Sequence, residues 1–160
     1  MKSKPTVLKF PIHCADVYFL QRRVSSSGYS VTDWEALRRF KETFNWDVSI
    51  SSLLARPYEA LVVTDRHQTI RWVNEGFSAM TGYSPSEILH QKPDILQGKE
   101  TSLETKGRIR TKLAKNEPFD ETIVNYRRNG EKYICQITIY PIHNRQGDLQ
   151  HFLALETELV

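Results

Sequence analysis

The side chains of this 160-residue chain that could carry chemistry are five histidines (His13, His67, His90, His143 and His151), two cysteines (Cys14 and Cys135) and two close carboxylate pairs, Asp120-Glu121 and Glu156 with Glu158. His13 and His67 have no His or carboxylate partner at metal-ligand spacing, and His90, His143 and His151 read as surface or turn residues, so no metal site is expected. The two cysteines are far apart in a chain without an export signal and read as free thiols, which argues against redox chemistry. In a strand, residues i and i+2 face the same side, so Glu156 and Glu158 share a face; both carboxylate pairs are expected at the rim or in solvent, without a catalytic role. Gly76, Gly82, Gly98 and Gly107 are spread singly rather than gathered into a phosphate loop, and neither G-x-S-x-G nor H-E-x-x-H occurs. No enzymatic constellation emerges. Trp34, Phe40 and Phe44 could be imagined as a base-stacking row, but their helical spacing makes them packing residues.

The elements that must position these groups fit an ordinary globular chain, with 39% hydrophobic, 26% charged and 11% aromatic residues. No run approaches the roughly 20 apolar residues of a bilayer span, and the N-terminus lacks the apolar stretch of a signal peptide, so the expected location is cytoplasmic, with no membrane partner. The net charge of +3 is uneven. Residues 1–58 hold nine Lys or Arg against five Asp or Glu, and the remainder holds 13 against 14. With no DNA-binding pattern, the basic third reads as a solvated face, and no nucleic-acid partner is expected.

Residues 1–57 form a first region. Pro5, Pro11, Arg22-Arg23 and Ser25 to Gly28 read as an arm and loop, with Val17 to Leu20 its one apolar stretch. Thr32-Asp33-Trp34-Glu35 has the form of a capping box, predicting a helix from Asp33. Trp34, Leu37, Phe40 and Phe44 then fall on one stripe, which must pack on the body of the domain or on a second copy of the chain. A short helical stretch, Ser49 to Ala55, follows, and Pro57 ends it.

Residues 58–160 form the second region, where the period changes. Ala60 to Thr64 and Thr69 to Val73 read as a strand hairpin. Asn74 caps a helix that stops at Gly82, Ser84-Pro85-Ser86-Glu87 is a second capping box, and Thr101-Ser102-Leu103-Glu104 a third. The last opens a helix to about Ala114, with Leu103, Ile109 and Leu113 expected inward. Phe119 to Arg127, Lys132 to Ile142 and Leu149 to Glu158 then read as a three-strand meander, turned by Asn129-Gly130 and Gly147-Asp148. The fold class is α+β: a five-stranded antiparallel sheet with helices on one face, preceded by an N-terminal helical extension.

Leu61 to Asp65, Val73 to Phe77, Met80 to Glu87, Leu96-Gln97-Gly98 and Asn125 to Gly130, in that order, resemble a PAS sensor domain over residues 58 to about 158. The resemblance implies the PAS fold, a sheet cupping a small-molecule cavity, in a family that senses ligands, light or redox state or mediates association. Pro93 to Gly98 with Asn125-Tyr126 is most similar to the LOV photoreceptor subgroup, whose motif is G-R-N-C-R-F-L-Q-G around a flavin. Aligned on Leu96-Gln97-Gly98, Pro93 stands at the adduct-forming Cys, Lys92 at the Asn and Asp94 at the phosphate-pairing Arg. Asn125 matches its family Asn, whereas Cys135 replaces a second Asn and Glu156 a Gln. Cys-adduct photochemistry is therefore not expected, and Pro93, Lys92 and Asp94 disfavour FMN. Haem is not expected either, since residues 102–114 contain no His.

The resulting expectation is a single-domain PAS signalling protein, flavin-free and non-enzymatic. It acts as a sensory or protein-interaction module, homodimerises through Trp34, Leu37, Phe40 and Phe44, and passes its output to a partner such as a histidine kinase or regulator, because the sequence stops directly after the last strand. The alternative is a small-molecule or cofactor sensor whose cavity presents Gln97, Asn125, Cys135 and Glu156 to its ligand.

Overall fold

The computed structural model describes residues 29–160; the arm with His13, Cys14 and Val17 to Leu20 lies outside the described residues. The chain runs α1 (Val31–Phe44), α2 (Ile50–Leu53), β1 (Ala60–Asp65), β2 (Ile70–Val73), α3 (Glu75–Thr81), α4 (Pro85–Ile88), a 3₁₀ turn (Pro93–Leu96), α5 (Leu103–Ala114), β3 (Phe119–Tyr126), β4 (Lys132–His143) and β5 (Leu149–Leu159). The five strands form one antiparallel sheet in the order β2-β1-β5-β4-β3, so the first and last strands of the domain pair at its centre.

Strand alternation sorts the side chains onto two faces. Ala60, Val62, Tyr133, Cys135, Ile137, Ile139 and Phe152 point to an inner face covered by α3, α4, the 3₁₀ turn and α5, with Phe77, Ile88 and Leu96 fully enclosed. Leu61, Val63, Ile142, Leu153 and Leu155 point the other way and are buried beneath Leu37, Trp46, Ile50, Leu53 and Leu54 of the N-terminal extension. The extension therefore roofs the second face. The stripe of α1 is used within the chain: Leu37 is fully enclosed, Trp34 and Phe40 are half-buried, and of the four residues expected at a dimer contact only Phe44, at 40%, stays exposed. After α1, Asp47 N–H donates to His143 O (2.9 Å) and Arg145 N–H to Asn45 O (3.1 Å), tying the extension to the β4–β5 hairpin.

Local signals set most boundaries. Asn74 accepts Phe77 N–H at the start of α3 (3.0 Å), Gly82 ends that helix at φ 78°, and Ser84 N–H donates to Glu87 (2.9 Å) in the expected capping box. Gly76 is required for another reason: a Cβ there would lie 1.8 Å from Glu59 O, so α3 sits directly on the backbone entering β1.

Two helix starts differ from expectation. α1 begins at Val31 with Ser30 as N-cap, and Thr32 does not cap it. Its hydroxyl bonds Ser30 Oγ (2.7 Å), while Asp33 is drawn inward, where its carboxylate accepts Tyr58 O–H (2.9 Å) and Asn74 Nδ2–H (3.2 Å). α5 is capped by Ser102, because Thr101 is already committed: its hydroxyl donates to Val124 O (2.7 Å) and accepts Gly98 N–H (2.9 Å). That start leaves Leu103 82% exposed instead of inward, while Ile109 and Leu113 do face the core.

Since Leu37 is buried and Phe44 is not, Leu37→Ala should cost about 2–5 kcal/mol in denaturant unfolding and Phe44→Ala about 1 kcal/mol or less. Equal, small effects would mean that α1 is not docked on the sheet.

Candidate functional site: a cavity around a buried carboxyl

Between the inner face and its helical cover lies a cavity of about 120 Å³. Its walls are mostly apolar, with Phe77 from α3, Ile109 and Leu113 from α5, and Ile123, Ile137, Ile139 and Phe152 from the strands. The polar groups on it are Thr64, Gln68, Asp94, Gln97, Asn125 and Glu156. The volume is small beside the roughly 300–1,000 Å³ of drug-sized sites.

Glu156 dominates this wall. It lies on β5 opposite Ala60 of β1 and Ile137 of β4, at the centre of the sheet, on the same side as Phe152 and Ala154. It is 6% exposed, and its Oε2 has no hydrogen-bond partner among the described residues. Burial alone pushes its carboxyl up to about 7. The expectation that both Glu156 and Glu158 lie at the rim is corrected here. They do share a face, but only Glu158 reaches the rim, where Arg127 Nη2 bonds it at 2.6 Å. Period-2 patterning assigns a face and not a depth, and β5 is central rather than an edge.

Of the four residues expected to line a pocket, the fold brings Gln97, Asn125 and Glu156 together on the cavity wall. Cys135 is not on it. On β4 the wall is made by Ile137 and Ile139; Cys135 lies one inward position nearer the hairpin, opposite Ile123 and Glu158, fully buried in the core. Burial, with Glu156 nearby, pushes its thiol well above the usual range. Pro93 and Asp94, singled out as departures from the LOV motif, both line the cavity. Gln68, in the turn between β1 and β2, lines it too. It holds a left-handed backbone (φ 64°) in an Asx-type turn in which Asp65 accepts the N–H groups of His67 and Thr69. Nothing in the β-turn pattern signals that its side chain reaches the site.

His151 is the second correction. Expected at a surface or turn, it is 4% exposed on the outer face, enclosed by Phe40, Phe44 and Trp46. Trp46 Nε1–H donates to its Nδ1 (3.0 Å), which puts the ring proton on Nε2. Burial, the largest influence, holds the imidazole down to about 4, with Arg71 adding to the effect and Asp65 opposing it. His67 and His90 are exposed, and among the described residues no group of three or more His, Cys, Asp or Glu is placed to hold a metal. No helix among them is long and apolar enough to cross a membrane.

Glu121, on the edge strand β3, is held down to about 2, chiefly by Arg108 and also by Lys112. Its ion pairs, like that of Asp120 with Arg56 (2.6 Å), account for that carboxylate pair as structural.

The pH dependence of stability follows from Glu156. Its folded value lies above the ordinary 4.5, so the folded state holds the proton more tightly, and stability falls as pH rises from about 4.5 to 7. Glu156→Gln should therefore match the wild type near pH 4.5 and exceed it by about 3 kcal/mol at pH 8. His151 works oppositely, removing stability as pH falls from 6.5 toward 4, so the difference between variant and wild type, and not the wild-type curve alone, isolates Glu156. A difference that does not change with pH would mean that this carboxyl titrates normally.

Comparison with known proteins places this geometry. Residues 59–159 match the PAS domain family. Over 100 residues the chain is 33% identical to a nitrogen fixation regulatory protein of Klebsiella oxytoca, covering 62% of this chain and 20% of that protein. Over 102 residues it is 30% identical to a blue-light-activated histidine kinase of Brucella canis, covering 62% of this chain and 21% of the kinase. The chain thus spans about a fifth of the length of these relatives. Among solved structures, the LOV domain of the Erythrobacter litoralis EL346 blue-light-activated histidine kinase superposes with a TM-score of 0.60 at 27% identity, over 65% of this chain and 97% of that one. With its five-stranded sheet, helical cover and central cavity, the chain belongs to the PAS domain family, of the LOV-like type.

Proposed function

We propose that this PAS domain senses a small molecule held in the cavity, without enzymatic activity and without flavin photochemistry, and passes the signal to a partner protein such as a histidine kinase or regulator. The observation that carries this reading is the unpartnered Oε2 of Glu156, buried on the wall of a cavity that Gln97 and Asn125 also line. A pure adaptor has no use for it. Burying an ionisable group without a partner costs stability that an apolar residue of similar size would not, whereas a ligand that completes its hydrogen bonds offsets that cost. Pro93 supports the flavin-free part of the reading, because it lines the cavity at the position where a LOV-type adduct needs a thiol. The regulatory and kinase relatives support a signalling role.

The helix stripe enters the reading differently from expectation. Leu37 is enclosed by the chain's own sheet, so a homodimer would be built on Phe44 and the exposed side of α1 rather than on the full stripe.

Native mass spectrometry of the purified protein, with a visible absorption spectrum of the same sample, tests the proposal. The wild type should carry added small-molecule mass and no flavin absorption in the blue, and Glu156→Leu should lose that mass while remaining folded. A bare mass for both proteins would favour a packed-core adaptor, and flavin absorption would overturn the flavin-free reading.

A further inference from the structure

The cavity's charge inventory narrows the ligand. Glu156 is the buried carboxyl on its wall and Asp94 an exposed one, together with the amides of Gln68, Gln97 and Asn125 and the Thr64 hydroxyl; no Lys, Arg or His lines it. Three cations around the inner face are engaged elsewhere. Arg127 bonds Glu158 and the Met80 carbonyl, Arg108 holds Glu104 and Glu121, and Lys112 holds Glu121. No side chain already in contact with the cavity neutralises Glu156.

Resting on the reading of the cavity as a ligand site, we propose that its ligand is a small organic cation, an amidinium, guanidinium or ammonium group on a compact apolar body, with Glu156 as its counter-ion. A buried carboxylate forms its strongest interaction with a charged N–H donor, and a planar amidinium meets both carboxylate oxygens at once. The apolar walls formed by Phe77, Ile137 and Phe152 suit the body of such a molecule. Anions, phosphates included, meet the buried Glu156 carboxyl and no lining cation. A neutral donor satisfies Oε2 but leaves the charge of the ionised carboxylate uncompensated among mostly apolar walls. Near neutrality the free carboxyl is present in both protonation states, and a cation draws it to the ionised one.

Three probes of the same shape and different charge test this on the intact chain: benzamidine, benzamide and benzoate, titrated by calorimetry and by NMR. Benzamidine should bind about tenfold or more tighter than benzamide, with shift changes centred on cavity residues such as Phe77 and Ile137, and benzoate should not bind. Glu156→Gln should abolish the preference for benzamidine over benzamide. The charge series on the unaltered protein decides the question even if that variant folds poorly. Equal binding of benzamide and benzamidine, or preferred binding of benzoate, would overturn the cation assignment. If none of the three binds while the purified protein carries a neutral or anionic molecule, the cavity reading stands and the cation class fails. If none binds and the protein carries nothing, both fail.

Discussion

A sheet that is apolar on both faces governs this molecule. At its centre β1 and β5 alternate Ala60, Val62 and Phe152 toward one side with Leu61, Val63, Leu153 and Leu155 toward the other, and all seven are buried. Such strands cannot leave one side in water, so the helices of the PAS domain proper, which cover only the inner face, do not complete the fold. Leu37, Trp46, Ile50, Leu53 and Leu54 supply the missing roof. Residues ahead of the family match at 59–159 are thus part of the same hydrophobic structure as the sheet.

The two sides meet at one polar junction. Asn74 uses its side-chain carbonyl for the Leu61 and Phe77 N–H groups and its amide for Asp33 of α1, so a single side chain joins the first strand, the helix whose Phe77 lines the cavity, and the roofing helix. Trp34 Nε1, Ser78 Oγ and Tyr133 Oη are buried without a hydrogen-bond partner among the described residues, but none of these three residues lines the cavity. Glu156, not far off in the fold, is the contrast: central, enclosed and unpaired on one oxygen. An unsatisfied carboxyl on a cavity wall is the kind of local cost that folds retain where a site needs it.

Much of the architecture was legible in the residues. Alternation gave the strands and their faces, Asn129-Gly130 the hairpin, and Asn74 and Ser84 the helix starts, because each rests on a local rule. The ordered motifs gave the family. What local rules could not supply was depth and competition. The alternation left Glu156 at the rim, although the family resemblance put it in the pocket, and left His151 at the surface, because no pattern within a strand tells how much lies over it. Thr32 and Thr101 looked like caps, but in the folded chain Thr101 answers to Val124 and Gly98, and Asp33, beside Thr32, is taken by Tyr58 and Asn74. Cys135 was placed on the right face but one position off the wall, a distinction that depends on where the helical cover leaves space.

All three tryptophans lie on the roofed side of the sheet: Trp46 is enclosed there, with Trp34 and Trp72 against the same cluster, and none lines the cavity. The molecule therefore separates its optical reporters from its binding space. Intrinsic fluorescence will be blind to simple filling of the cavity and sensitive to how α1 and the Trp46–His151 contact sit on the outer face. An emission change on adding a non-absorbing ligand would then be a signal that has crossed the sheet, readable without any label.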